Sequence, residues 1–128
     1  MSVSPISFNS ILLDLFKNGI KIGTGTGFLY RSNVNNGIYL VTNYHVFTCR
    51  SPENPAQLEP GYPDSPDKIE FCLISRKDLS VKKIFITIDE NSEFFEHPKR
   101  SQGVDVVAIP IIFTAEQLAM ITTQGDLN

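Results

Sequence analysis

Apolar residues in this chain fall in short bursts separated by turn formers, and the bursts come in pairs. Ile11 to Lys17 is an apolar run closed by Asn18-Gly19, and Ile20 to Tyr30 follows at once. Asn-Gly between two such runs is the strongest short hairpin signal, because a type I′ turn needs positive φ at both central positions. Asn33 to Gly37 forms a second turn cluster, and Ile38-Tyr39-Leu40-Val41-Thr42 is a short strand after it. Lys68 to Ser75 and Val81 to Asp89 read as two further strands around the polar Arg76-Lys77-Asp78. In the second of these, Ile84, Ile86 and Ile88 alternate with Phe85, Thr87 and Asp89, which is the period of a strand. Val104 to Phe113 is the last strand, and Pro110 within it marks an edge or an exit.

The intervals are equally informative. Residues 51–67 hold Pro52, Pro55, Pro60, Pro63 and Pro66 with Gly61, a density that forbids a sheet ladder and predicts a long surface loop. The polar stretch 90–103 predicts another loop. Thr114 and Gln117 form a capping-box pattern ahead of Leu118, Ala119, Met120 and Ile121, so one short helix is expected at the C-terminal end. Six short strands joined by Gly, Pro and Asn turns predict an all-β antiparallel barrel or sandwich. No long helices separate the strands, which argues against a parallel α/β sheet.

Length and composition narrow the function classes. The 128 residues are 41% hydrophobic and 20% charged, enough apolar content for one domain with a core of its own. The formal net charge of −3 is unlike that of a mainly electrostatic nucleic-acid binder, and the basic pairs Lys82-Lys83 and Lys99-Arg100 have acidic neighbours. No stretch approaches the ~20 apolar residues of a membrane span. Ile11-Leu12-Leu13 is cut short by Asp14 with no basic residue before it, so no secretory signal is read there. A cytoplasmic chain without membrane or nucleic-acid partners is the expectation. The two cysteines, Cys49 and Cys72, do not make a disulfide scaffold; two buried thiols are expected. A zinc site from His45, Cys49, Cys72 and His97 matches no zinc module, and no metal or cofactor is expected; His97 is read as a solvated surface residue.

Three segments carry candidate chemistry. The run Gly23-Thr24-Gly25-Thr26-Gly27-Phe28 is neither a phosphate-binding loop nor a dinucleotide fingerprint, and reads as a bulged or bent strand that lets backbones approach closely. His45 directly follows the strand ending at Thr42, where a neutral imidazole can act as a general base if a carboxylate fixes its tautomer. Asp105 opens the very apolar run Val106-Val107-Ala108-Ile109, and a carboxylate there is costly to bury unless paired. Pairing Asp105 with the Nδ1–H of His45 explains both oddities at once.

Together these segments resemble the N-terminal half of a trypsin-like peptidase domain. Gly25-Thr26-Gly27-Phe28-Leu29 is similar to the small-residue strand before the catalytic histidine. Thr42-Asn43-Tyr44-His45-Val46 is similar to the histidine motif Thr-x-x-His-Val, and Asp105-Val106-Val107-Ala108-Ile109 to the aspartate motif. The likeness spans about Gly19 to Ile112. It implies a six-stranded antiparallel Greek-key barrel as the fold, with residues 1–128 as one domain and about 113–128 as a connector to a second barrel. It implies an endopeptidase of the Ser-His-Asp type, with His45 and Asp105 as catalytic residues and a peptide or protein as substrate. The nucleophile of that family, a Ser or in some relatives a Cys, lies on a Gly-x-Ser-Gly-type loop of the second barrel. This chain contains no such loop, so it is expected to lack the nucleophile and to be inactive alone. Apolar surface left bare around His45 predicts self-association, with a homodimer as one form. A catalytically inactive binding barrel, or a degenerate peptidase, is the alternative.

Overall fold

The computed structural model describes residues 10–74 and 80–118. The first hairpin pairs β1 (Ile11–Lys17) with β2 (Ile20–Arg31) across Asn18 and Gly19, whose φ values of 52° and 80° are those the Asn-Gly turn requires. Leu15 lies opposite Gly23 and Phe16 opposite Lys21, so Ile22 is an extra residue on β2 and the strand bulges there. A turn closed by the Ser32 N–H on the Gly37 carbonyl (2.9 Å) leads into β3 (Ile38–Thr42). The five-residue helix α1 (Tyr44–Thr48) follows immediately. After the proline-rich loop come β4 (Lys68–Ile74), β5 (Val81–Thr87), the two-residue β6 (Phe95–Glu96), a 3₁₀ turn over Arg100–Gln102, and β7 (Val107–Ile111).

All seven strands join one antiparallel sheet in the order β5-β4-β1-β2-β3-β7-β6. The fourth strand returns to lie beside the first, the β4-β1-β2-β3 order of a Greek key. The all-β antiparallel expectation holds, and two details differ from the expected six-stranded barrel. The sheet has seven strands rather than six, because Phe95–Glu96, inside a stretch too polar to signal a strand, pairs with Ala108 and Val107. It is also not closed: among the described residues, no ladder joins β5 to β6 or β7. Pro110 pairs with Tyr39 of β3 but lies beyond the short reach of β6, so its missing N–H leaves no gap in a ladder.

One face of the sheet is buried. Leu13 and Leu15 of β1, Leu40 of β3, Ile69 of β4 and Val107 of β7 have no exposed surface, and Phe71, Leu73, Ile84 and Ile109 extend the same cluster. The described residues contain no second sheet or long helix to cover that face, so the sheet has to curl to bury it. The chain after β7 helps to bring its ends together. Phe113 enters the core, and Glu116 Oε1 accepts the Lys82 ammonium of β5 at 2.7 Å. The capping box forms as expected: Thr114 N–H donates to Gln117 Oε1 (2.9 Å), and Gln117 N–H donates to Thr114 Oγ1 (3.1 Å). Residues 115–118 are helical; the rest of the expected connector and the Arg76-Lys77-Asp78 turn lie outside the described residues.

Much of the proline-rich loop is tied down by the Arg50 guanidinium. Arg50 donates from Nε to Ser65 Oγ (2.8 Å) and from Nη1 to the carbonyls of Ala56 (3.2 Å) and Pro55 (3.4 Å). Leu58 and Tyr62 of the loop pack on the core. No helix among the described residues is long and apolar enough to cross a membrane. Replacing a fully buried leucine at the centre of this face tests the packing: Leu15→Ala should lower unfolding stability by about 2–5 kcal/mol. A denaturant titration reads it as a lower midpoint at unchanged slope.

Candidate functional site

The end of β3 is fixed to the glycine run of β2. Thr42 Oγ1 donates to the Thr26 carbonyl at 2.7 Å, and the chain then leaves the sheet at Asn43 to enter α1. The helix ends at Cys49, whose φ of 57° breaks the repeat and whose N–H closes on the His45 carbonyl at 2.8 Å. The sequence pattern suggested only a strand end here; Asn43 ahead of Tyr44-His45-Val46 was the one signal for a helix start. His45 therefore stands on the first turn of a short helix rather than on strand backbone.

The glycines of β2 make room for that helix. A Cβ on Gly25 would lie 2.5 Å from Val46 Cγ1, and one on Gly23 would lie 2.6 Å from Tyr62 Cε1. Each distance is below any real carbon–carbon contact, so the absent side chains are what let Val46 and the proline-rich loop rest on the strand. The close approach read from the glycine run is thus an approach of α1, with His45 next to the contact point.

Asp105 reaches the site from the other side. Its segment lies between the 3₁₀ turn and β7, after Gly103 at φ 97°. The last strand begins at Val107, two residues beyond Asp105, because the 105 main chain is turned toward α1 instead of a neighbouring strand. The carboxylate grips His45 at two points. Oδ1 accepts the main-chain N–H of His45 at 2.9 Å, and Oδ2 pairs with ring Nδ1. That main-chain N–H is one of the orphan donors of a helix start, so Asp105 also caps α1 from 60 residues away. Asn43 adds a third tie, its Nδ2 donating to the Asp105 carbonyl at 2.9 Å.

The pairing assigns the ring proton. In a neutral ring, Nδ1–H donated to the carboxylate leaves the lone pair on Nε2, and no described residue bonds to that nitrogen. The side chains of His45 and Asp105 remain 35% and 27% exposed, so the ring can be reached from solvent. An imidazole in this state can take a proton from a hydroxyl or thiol and return it to a leaving group.

Arg100 braces the surroundings, a role that nothing in the sequence pattern marked. Its guanidinium lies 5.5 Å from the Tyr44 ring centre, donates from Nη1 to the Pro52 carbonyl at 2.7 Å, and pairs through Nε with Glu96 at 3.0 Å. It therefore links the segment before Asp105 to α1 and to the proline-rich loop. Burial pushes the Tyr44 hydroxyl above its ordinary pKa, with the Arg100 charge opposing, so the phenol is neutral at physiological pH. An open hollow of about 210 Å³ is lined by Thr26, Phe28, Val41, Asn43 and Val106 among others, with neither His45 nor Asp105 in its wall.

The cysteines differ from expectation. Cys49 is fully buried, and burial pushes its thiol up to about 11. Cys72 is exposed on β4, not buried, because its neighbours Phe71 and Leu73 take the inward positions. Both thiols are free. His97 is exposed, with Nδ1 accepting the Lys99 N–H at 3.0 Å.

Comparison with known protein families, characterised proteins and solved structures gives no match to this chain.

Two outcomes check this geometry. Gly25→Ala should cost about 1–3 kcal/mol through overpacking against Val46. Adding Val46→Ala should recover part of that loss, as a double-mutant cycle of unfolding midpoints would measure. In thiol titration of the native protein at pH 8, Cys72 should react at once, and Cys49 only after unfolding exposes it and restores an ordinary thiol pKa.

Proposed function

We propose that this chain is the histidine–aspartate half of a trypsin-like endopeptidase, with His45 as general base and Asp105 as its orienting carboxylate. The observation that carries this reading is the two-point grip of Asp105 on His45, which fixes both the position of the helix and the tautomer of the ring. Further support comes from the strand order. In this reading β5-β4-β1-β2-β3-β7 correspond to the six strands of the family's Greek-key barrel, left open between β5 and β7 and with β6 as an added edge. The strand leading to His45 (β3) and the strand following Asp105 (β7) are direct neighbours, as a shared site at one rim requires.

The chemistry would run as follows. The nucleophile is a hydroxyl or thiol supplied by a second barrel outside these 128 residues. His45 Nε2 takes its proton as the oxygen or sulfur attacks the peptide carbonyl. Collapse of the tetrahedral intermediate breaks the C–N bond, and the same proton passes to the leaving amine. Water then repeats the sequence on the acyl intermediate, releasing the acid and the free nucleophile. Asp105 stabilises the imidazolium at each stage without becoming protonated. Phe28 and Val106, the first in the strand of the glycine run and the second next to Asp105, are exposed and line one hollow, which fits a surface covered by that barrel. Two free thiols, one of them exposed, fit a reducing, cytoplasmic setting.

The isolated chain should show no hydrolysis of casein or peptide substrates, since a histidine–aspartate pair without a nucleophile has little to activate. In the protein that carries the second barrel, Asp105→Asn should lower kcat by roughly 10⁴-fold and His45→Ala by roughly 10⁶-fold. Hydrolysis by the isolated chain that His45→Ala abolishes would overturn the half-site reading. Losses below tenfold would show that the pair is not the proton-handling unit, and absence of hydrolysis in the two-barrel protein would leave an inactive binding barrel as the better description. The bare apolar flank should also make the isolated chain self-associate, and a clean monomer in light scattering at high concentration would count against it.

A further inference from the structure

The helix that carries His45 begins against the local rule. Asn43 is its N-cap, in extended backbone at φ −79° and ψ 146°, yet its side chain makes no capping hydrogen bond. An N-cap Asn ordinarily turns its carboxamide oxygen back onto the N–H of the second or third helical residue. Here the second such N–H is that of His45, and it is taken by Asp105 Oδ1 at 2.9 Å. The Asn43 carboxamide points the other way, donating from Nδ2 to the main-chain carbonyl of Asp105 at 2.9 Å.

The two residues have exchanged duties. Asp105 caps the helix that Asn43 starts, and Asn43 holds the main chain from which the Asp105 side chain projects. Asn43 is exposed, so packing does not explain its orientation. The difference between one anchor and two is mechanical. Among the described residues, the neighbouring main chain has only long ties, Val104 N–H on the Lys99 carbonyl (3.3 Å) and His97 N–H on the Val106 carbonyl (3.4 Å), so the Asp105 peptide itself depends on Asn43 to fix its tilt. Fixing the carbonyl fixes the peptide plane, and with it the direction in which the carboxylate meets Nδ1. A position that breaks a local rule without a packing gain is where a functional constraint is expected.

We infer that Asn43 is a positioning residue for the His45–Asp105 pair, acting through the Asp105 main chain and not through helix stability. The inference rests on the pair being the proton-handling unit described above. It separates from a structural role because the two roles respond oppositely to substitution. Ser and Asp are N-caps as good as Asn but have no amide to donate.

The test uses the 128-residue chain, with Asn43→Ser and Asn43→Asp beside the unaltered protein. The readouts are the denaturant midpoint and the solvent exchange rate of the His45 Nδ1 proton, followed by proton NMR as a far-downfield resonance. Both variants should unfold at a midpoint close to that of the unaltered protein, a cap oxygen on the Val46 N–H offsetting the lost bond to the Asp105 carbonyl. Their Nδ1 proton should exchange about fivefold faster, the change implied by the usual net worth of one hydrogen bond. Faster exchange that merely tracks a lowered midpoint would assign Asn43 a structural role and overturn the inference, as would failure of both variants to fold. Unchanged exchange at unchanged midpoint would overturn it too, while leaving the pair itself standing. Absence of any protected Nδ1 proton in the unaltered protein would instead remove the pair on which the inference rests.

Discussion

The grip of the Asp105 carboxylate on His45 is the constraint around which this end of the molecule is arranged. One oxygen takes a helix-start N–H and the other takes the ring N–H, so a single side chain satisfies an orphan backbone donor and sets an imidazole tautomer. A partly buried carboxylate is costly to desolvate, and two donors from one residue offset that cost where an apolar neighbourhood cannot. The consequence reaches the backbone on both sides. β3 must end at Thr42 so that α1 can turn toward residue 105, and β7 must begin beyond Asp105 so that its main chain can face α1.

Holding that arrangement requires a helix to lie unusually close to a strand. The glycines of β2 provide the space, and Thr42 locks β3 to the same strand by bonding the Thr26 carbonyl. Two arginines manage the irregular backbone around it. Arg50 gathers carbonyls and a hydroxyl of the proline-rich loop, and Arg100 spans the Tyr44 ring, Glu96 and the Pro52 carbonyl. In each case five fixed donors answer the acceptors that a loop without ladder partners leaves open. The proposed peptidase chemistry needs this rigidity, because a base serves only at hydrogen-bond distance from the proton it takes.

The elements themselves were largely legible. β1 and β3 fall where the apolar runs of the sequence put them, and the Asn18-Gly19 hairpin and the Thr114–Gln117 capping box form as their chemistry demands. These are local effects: alternation, positive φ and reciprocal capping act within a few residues. Three features were not legible in the same way. α1 is five residues long, too short to show a helical period. β6 is a two-residue pairing within a polar stretch, set by what Ala108 and Val107 offer it. Cys72 faces outward because Phe71 and Leu73 fix the pleat of β4, which only the position of the core can decide.

The candidate site divides along the same line. His45 and Asp105 stand out in the sequence by themselves, one at the end of an apolar strand and the other at the start of one. Their residue types determine that they can share a proton. That they do meet, through which oxygens, and with Asn43 on the Asp105 carbonyl, was decided by the tertiary structure alone. The partners are separated by about sixty residues of strand and loop, and only the packing of β3 against β7 brings those ends together. Local chemistry determined which groups could react. The sheet, by burying one face and setting the β3–β7 register, determined where they stand.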